Sequence, residues 1–113
     1  MRLKSELWVK AFLRRAAVAG APGVVVRRGD SDAGIILIKI ARLDGTADYF
    51  GPAPAGFEGG DNERRWVPIA EKLPEAEIEA RLAREIRNDS DLWVLEIEDR
   101  QGRHFLEGWL ATA

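Results

Sequence analysis

Residues 35–50, IILIKIARLDGTADYF, give the clearest indication of the fold. The first six residues are apolar on both faces of an extended strand, because side chains alternate along a strand. The two faces carry Ile36, Ile38 and Ile40 on one side, and Ile35 and Leu37 on the other. A strand of this kind is typical of the centre of a sheet that is covered on both sides. We therefore expect residues 35–40 to form a central, buried strand.

The dipeptide Asp44-Gly45 follows this strand and is the strongest hairpin signal in the chain. Counting outward from a two-residue loop gives three facing pairs: Leu43 with Thr46, Ile40 with Tyr49, and Lys39 with Phe50. In this register Asp48 lies diagonal to Lys39, which is close enough for an ion pair. The sequence thus predicts a two-stranded unit with a charge pair across it.

Residues 5–19 have the pattern of an amphipathic helix. At 100° per residue the apolar side chains gather on one face, and they are Trp8, Val9, Phe12, Leu13 and Ala16. Ser5 is a favoured N-cap residue, and Gly20 followed by Pro22 favours a helix end. We expect this helix to bury Trp8, Phe12 and Leu13 against the sheet.

Shorter segments complete the middle of the chain. The β-branched run at residues 24–26 reads as a strand that ends in two arginines. Residues 64–69 form a short strand, which Pro68 marks as an edge of the sheet or as its end. Pro74 opens a second helix that runs to about Asn88.

The C-terminal third reads as a hairpin of residues 92–98 and 103–107, with Gly102 in a left-handed turn position. This register places Phe105 opposite Ile97 and His104 opposite Glu98. The full order is then α-β-β-β-β-α-β-β. It predicts an α+β fold with an antiparallel or mixed sheet of five to six strands, and with two helices on one face of it.

The composition describes one globular domain over residues 1–113, with 46% hydrophobic and 32% charged residues and a net charge of −2. The chain has no cysteine and one histidine, so disulfides, thiolate chemistry and multi-histidine metal sites within one chain are excluded. Charged residues interrupt every apolar run near the N-terminus, and no run elsewhere is long enough for a spanning helix. We expect a soluble, cytoplasmic protein.

Residues 51–62, GPAPAGFEGGDN, form a Gly/Pro-rich loop that we expect to be the most mobile internal segment. Phe57 is its one large apolar residue. It either packs onto the body of the protein, which gains about 2 kcal/mol of burial, or contacts a partner.

The residues of this sequence do not have the spacing that known catalytic and cofactor-binding motifs require. An EF-hand loop counted from Asp30 would need glycine where Ile35 stands, and no phosphate-binding loop is present. We therefore predict no catalytic residue, no metal and no cofactor. The alternative is a small enzyme or a small-molecule-binding protein with a site near His104, which Glu98 and Glu107 would complete.

Arginine and tryptophan are the residues that favour an interaction surface. The candidate partner-binding residues are Arg27, Arg28, Arg64, Arg65, Trp66, Phe57 and Trp109. The competing interpretation is that these arginines are solvated or paired with the 19 carboxylates and that the tryptophans pack in the core. We predict a non-catalytic module that binds an unknown protein. The net charge disfavours nucleic acid, and a homodimer through a sheet edge, or through Trp66 and Trp109, is possible.

Five runs also resemble a known family: RLKSELWVKAFLRR, VVVRRGDSDAGIILIKI, RLDGTADYFGPAP, ERRWVPI and SDLWVLEIEDRQGRHFL. In this order they are similar to the short bacterial proteins filed as domain of unknown function 1491. The resemblance implies a single-domain bacterial protein. Because the family carries no assigned activity, it transfers no catalytic or binding residue.

Overall fold

The computed structural model describes residues 3–54 and 63–111. Its elements, in chain order, are α1 (Ser5–Val18), β1 (Gly23–Arg27), β2 (Ile36–Ala41), β3 (Thr46–Pro52), β4 (Trp66–Pro74), α2 (Glu75–Asn88) and β5 (Trp93–Glu98). The fold is α+β, as the sequence predicts. Within the described ranges no helix combines the length and the apolar character that crossing a bilayer requires.

The five strands form one mixed sheet in the order β1-β5-β2-β3-β4. The pair β2–β5 is parallel, and the other pairs are antiparallel. β2 is the middle strand and all six of its residues are buried. The prediction of a central, two-sided strand is confirmed, although the strand begins at Ile36 and Ile35 is exposed.

The two helices lie on opposite faces of the sheet, so the expectation that both share one face is wrong. One cluster packs α1 through Trp8 and Phe12 against the side of β2 that carries Ile38. A second cluster packs α2 through Ile78 against the side that carries Leu37. The physical reason is the apolar character of both faces of β2, since each face needs its own cover.

The hairpin between β2 and β3 forms, but its register is one residue away from the prediction. Ile40 faces Asp48 and Lys39 faces Tyr49. The loop has three residues, with Leu43 at φ +63° and Gly45 at φ +91°. Leu43 therefore turns the chain one position earlier than a two-residue Asp44-Gly45 loop would.

The shift in register gives Asp48 a different partner from the predicted one. The Arg42 guanidinium donates two hydrogen bonds to the Asp48 carboxylate, at 3.1 and 2.8 Å. Lys39 instead donates to Glu75 and Glu79 of α2. The predicted Lys39–Asp48 pair is replaced by these two separate pairings.

Residues 103–107 form no strand, which corrects the last element of the predicted order. The turn itself is present, because Gly102 has φ +70° and its N–H donates to the Asp99 carbonyl at 3.0 Å. Phe105, at φ +59°, then takes the chain out of an extended conformation. The segment turns instead toward β4, where Leu110 forms a parallel bridge with Trp66.

Ser5 begins α1 rather than capping it, because the N-cap residue is Lys4. The N–H groups of Ser5 and Glu6 donate to the carbonyls of Asp32 and Ser31, at 3.1 and 3.0 Å. The Ser5 hydroxyl is buried and donates to the Gly34 carbonyl at 2.7 Å. The loop before β2 thus satisfies the helix N-terminus, which frees this hydroxyl for a different contact.

Candidate functional site

The predicted arginines and tryptophans do not form one patch, because some of them lie inside the protein. Trp66 is only 2% exposed. Its ring stacks on Trp8 with 4.1 Å between centroids, and its Nε1–H donates to the Ile36 carbonyl at 2.9 Å. Both its apolar ring and its single donor are therefore satisfied within the fold.

Arg64 is 7% exposed and holds together segments that are distant in the chain. Its guanidinium donates to the Ser5 hydroxyl at 2.8 Å and to the carbonyls of Leu3 and Gly34, at 3.2 and 3.3 Å. These acceptors lie at the start of α1 and in the loop before β2. Since the planar guanidinium carries several donors in fixed directions, one side chain can bridge both segments.

Trp109 and Arg65 lie between interior and surface. Trp109 is half-buried against the edge of Trp8, at 4.9 Å between centroids. The Arg15 guanidinium lies over the Trp109 ring, 3.8 Å from the ring centroid. Arg65 is half-buried and lies 3.9 Å from Glu63. The remaining candidate, Phe57, and most of the predicted mobile loop lie outside the described residues.

Arg27 and Arg28 are found at the end of β1. Arg27 donates to the Ser90 carbonyl at 2.9 Å. Arg28 is exposed and pairs with Glu6 at 2.9 Å, a hydrogen bond that lowers the pKa of that carboxyl below its usual value. These contacts orient the two side chains while leaving part of the Arg28 side chain in solvent.

The valines of β1 are the exposed feature that sequence reasoning missed. β1 lies at one end of the strand order, and among the described strands it pairs with β5 alone. Val24, Val25 and Val26 are 57%, 42% and 56% exposed. A β-bulge at Val26 interrupts the pairing between Val25 and Arg27. The only signal in the sequence was an apolar run without polar alternation, and this run is equally typical of a buried strand.

β4 forms the opposite edge of the sheet, which is one of the two alternatives that Pro68 indicated, but it continues to Pro74 and does not end at residue 69. It is the better protected edge. Pro68 and Pro74 have no N–H to offer another strand. The Trp66 N–H donates to the Trp109 carbonyl, and the Ala111 N–H donates to the Trp66 carbonyl, both at 2.9 Å. The C-terminal segment therefore covers the beginning of β4, and β1 is the more accessible edge.

His104 lines a cavity of about 220 Å³ together with Phe50, Arg42 and Asp48. Its Nδ1 accepts a hydrogen bond from the Leu106 N–H at 2.8 Å, so the neutral ring carries its proton on Nε2. The predicted partner Glu98 makes no contact with the ring within the described ranges. The hairpin that would have set them opposite each other is not formed.

Lys39 belongs to a network of ion pairs that stabilises the fold. Its buried ammonium donates to Glu75 at 2.7 Å, to Glu79, and to Glu96 at 3.2 Å. Burial alone would lower the pKa of Lys39, but the three hydrogen bonds outweigh burial and raise this pKa above its ordinary value. Two of the carboxylates belong to α2, so the network fixes this helix to the sheet. No cluster of three or more metal-ligating side chains occurs in the part of the chain that the structure describes.

Comparison with known proteins identifies relatives over almost the whole length. A family model described as "Protein of unknown function (DUF1491)" matches residues 3–107. A crystal structure of a DUF1491 family protein from Caulobacter crescentus is 40% identical, with a TM-score of 0.80, and the match covers 99% of this chain and 100% of that one. No curated protein matches this chain.

Two structures determined in solution show the same similarity. A protein from A. tumefaciens is 42% identical with a TM-score of 0.75, over 87% of this chain and 86% of that one. An NMR structure of a DUF1491 family protein from Caulobacter crescentus is 43% identical with a TM-score of 0.76, over 93% of each chain. At these identities the similarity extends beyond the fold to the family.

Proposed function

The chain belongs to the DUF1491 family of proteins of unknown function, and we propose that it is a non-catalytic protein-interaction module. Its partner is a protein that adds an extended segment alongside β1. One observation carries this proposal, namely three consecutive exposed valines on a strand whose outer side has no neighbouring strand among residues 3–54 and 63–111.

The backbone of β1 supplies the affinity in this proposal. Every second residue of an antiparallel edge strand turns its N–H and C=O away from its neighbour. A segment that lies about 4.8 Å further out can hydrogen-bond to these groups. The bulge at Val26 confines regular pairing to the residues before it.

The side chains of β1 supply the selectivity. Val24 and Val25 point to opposite faces of the sheet, so an added segment meets a β-branched side chain on each face. Arg27 and Arg28 follow directly and favour an acidic residue in the partner. We therefore retain both arginines as partner-binding residues. Arg64 and Trp66 stabilise the fold in this proposal, while Arg65 and Trp109 remain secondary candidates for the surface.

A second copy of the chain is the competing occupant of the same edge. Two β1 strands paired antiparallel about Val25 would set Gly23 opposite Arg27, so no arginine would face another arginine. Homodimerisation through β1 is therefore compatible with the charges. We prefer a different protein because the Arg27-Arg28 pair has no acidic counterpart within β1 itself.

Photo-crosslinking at Val25 tests the proposal and separates the two occupants. The residue p-benzoylphenylalanine replaces Val25 in one variant and Val18 in a matched control, because Val18 is an exposed valine on α1. We expect an adduct with another protein from position 25 and none from position 18. An adduct between two copies would assign the edge to a homodimer. The absence of any adduct that is specific to position 25 would contradict both.

The cavity beside His104 supports a second candidate, the binding of a small molecule. Arg42 and Asp48 neutralise each other there, so the Nε2–H of His104 is the remaining donor. Native mass spectrometry of the purified protein would show a bound metabolite as added mass. Loss of that mass in His104→Phe, but not in the surface variant Arg100→Gln, would favour this candidate over the interaction module.

The proposed setting is the cytoplasm, in line with the cysteine-free composition. Nucleic acid is not part of the proposal because the net charge of −2 gives no long-range attraction to phosphate. Binding to nucleic acid would show itself as a steep loss of affinity with added salt.

A further inference from the structure

A groove of about 620 Å³ lies between α2 and the sheet, on the face opposite α1. Its floor is apolar and includes Leu37, Tyr49 and the exposed residues Ile35 and Ile69. A volume between about 300 and 1,000 Å³ with an apolar lining is typical of small-molecule sites. This groove is separate from the outer edge of β1, so it requires its own explanation.

Tyr49 contributes a polar hydroxyl to the otherwise apolar floor of the groove. The residue is only 5% exposed, yet its hydroxyl has no hydrogen-bond partner within residues 3–54 and 63–111. Burial raises the pKa of this phenol, Glu85 raises it further, and Arg81 opposes the rise. The hydroxyl therefore keeps its proton at neutral pH, and it can donate a hydrogen bond to a ligand in the groove.

Charges of both signs line the α2 side of the groove. Arg81 pairs with Glu77 at 3.4 Å, so these two neutralise each other. Arg84, Glu85 and Asp89 also line the groove, and no ion pair engages them among the described residues. The groups without an ion pair are thus one cation and two anions next to an apolar floor, and the Asp89 carboxylate also accepts a hydrogen bond from the Asp91 N–H at 2.9 Å.

We propose that this groove binds a small zwitterion with an apolar body, such as an apolar amino acid or dipeptide. A simple carboxylic acid would find Arg84 but would also face Glu85 and Asp89. A simple amine would leave Arg84 without a counter-charge. A zwitterion places its carboxylate near Arg84 and the Tyr49 hydroxyl, its ammonium near Glu85 and Asp89, and its side chain on Ile69.

Titration of the isotope-labelled protein with the dipeptide leucyl-leucine, followed by NMR, tests the proposal. We expect saturable shifts for Tyr49 and Ile69. Blocking either end of the dipeptide, by N-acetylation or C-amidation, should weaken binding about tenfold, since each block removes one charge-assisted contact.

Three variants assign the contacts. Tyr49→Phe removes only the hydroxyl and should weaken binding severalfold. Arg84→Gln should bind the free and the C-amidated dipeptide equally, because the carboxylate no longer has its partner. Arg87→Gln is the matched control on the same helix outside the groove lining, and it should bind like the unmodified protein.

Two outcomes would overturn the proposal. One is the absence of saturable shifts at about 10 mM dipeptide, where even a millimolar site would be filled. The other is equal binding of the free dipeptide and both blocked dipeptides, which would show that Arg84, Glu85 and Asp89 do not recognise the charged ends of the ligand. Neither outcome concerns β1, so the proposal that a protein binds along β1 is tested independently.

Discussion

The region around Arg64 and Trp66 and the outer edge of β1 invert the usual distribution of residues between interior and surface. A charged guanidinium and a tryptophan lie inside the protein, while three consecutive valines lie in contact with solvent. The interior pair is tolerated because the terminal N–H groups of Arg64 and the indole N–H of Trp66 have acceptors, among them the Ser5 hydroxyl and the Ile36 carbonyl. The valines are exposed because the sheet ends at β1. Whether these residues are buried depends on their position in the fold and on the hydrogen-bond acceptors around them more than on residue type.

The largest effect should come from Trp66, the centre of the interior region. Trp66→Ala should lower the free energy of unfolding by about 3–5 kcal/mol, because it removes a buried ring that stacks on Trp8 and leaves a cavity. Denaturant unfolding measures the change. Trp66→Phe, which keeps an aromatic ring, should cost distinctly less. A loss below about 1 kcal/mol for the alanine variant would place Trp66 at the surface.

Arg64→Met should have the next largest effect, about 2–3 kcal/mol of stability. Methionine retains much of the length but removes the donor to the buried Ser5 hydroxyl and to the part-buried Leu3 carbonyl, while the Gly34 carbonyl keeps its hydrogen bond from Ser5. The same change at an exposed arginine, Arg28→Met, should alter stability by no more than about 0.5 kcal/mol. Similar losses for the two variants would show that the guanidinium of Arg64 is solvated.

Lys39 is intermediate, since its ammonium is buried but its carboxylate partners reach solvent. Lys39→Met should cost about 1–2 kcal/mol, because the glutamates can be rehydrated once the ammonium is gone. The exposed Lys10, which pairs with Glu6 at 3.7 Å, provides the matched control Lys10→Met, with an expected change below about 0.5 kcal/mol.

The pH dependence provides a second test of the Lys39 network. Its pKa is raised in the folded state above the ordinary 10.5, so the folded protein binds this proton more tightly than the unfolded chain does. The stabilisation is complete below that value and is lost as the pH rises through the folded pKa. Unfolding measured from pH about 8 to about 11.5 should show the onset of this loss above the ordinary pKa of 10.5, and Lys39→Met should reduce it. An unchanged slope in the variant would contradict the assignment.

The sequence predicted those parts of the fold that depend on local pattern. The two-faced run at residues 35–40 placed β2 at the centre, and Pro68 placed β4 at an edge. The register of the hairpin depended on the positive φ of Leu43, which no propensity suggests for a leucine. The chain conformation after Gly102 depended in the same way on Phe105. A positive φ at a leucine or a phenylalanine cannot be inferred from the residue type.

The candidate site was harder to predict because its determinants are distant in the chain. The acceptors of Arg64 come from residues 59 and 30 positions away, and no spacing in the sequence joins them. The exposure of Val25 depends on the insertion of β5 between β1 and β2, which only the assembled sheet shows. Residue type alone therefore assigned Arg64 to a surface and did not predict that the valines of β1 are exposed.

The smallest effect on stability should come from Val25→Thr. Its matched control is the same exchange at a buried valine. Val94, on the neighbouring strand β5, is 2% exposed. Val94→Thr should cost roughly 1–3 kcal/mol because it buries a hydroxyl among apolar side chains. The same exchange at Val25 should change the free energy of unfolding by less than about 0.5 kcal/mol, since the hydroxyl remains in water. Denaturant unfolding of both variants at low micromolar concentration measures the difference. Equal costs would show that β1 is already covered in the isolated protein, and a cost at Val25 that grows with protein concentration would identify the cover as a second copy.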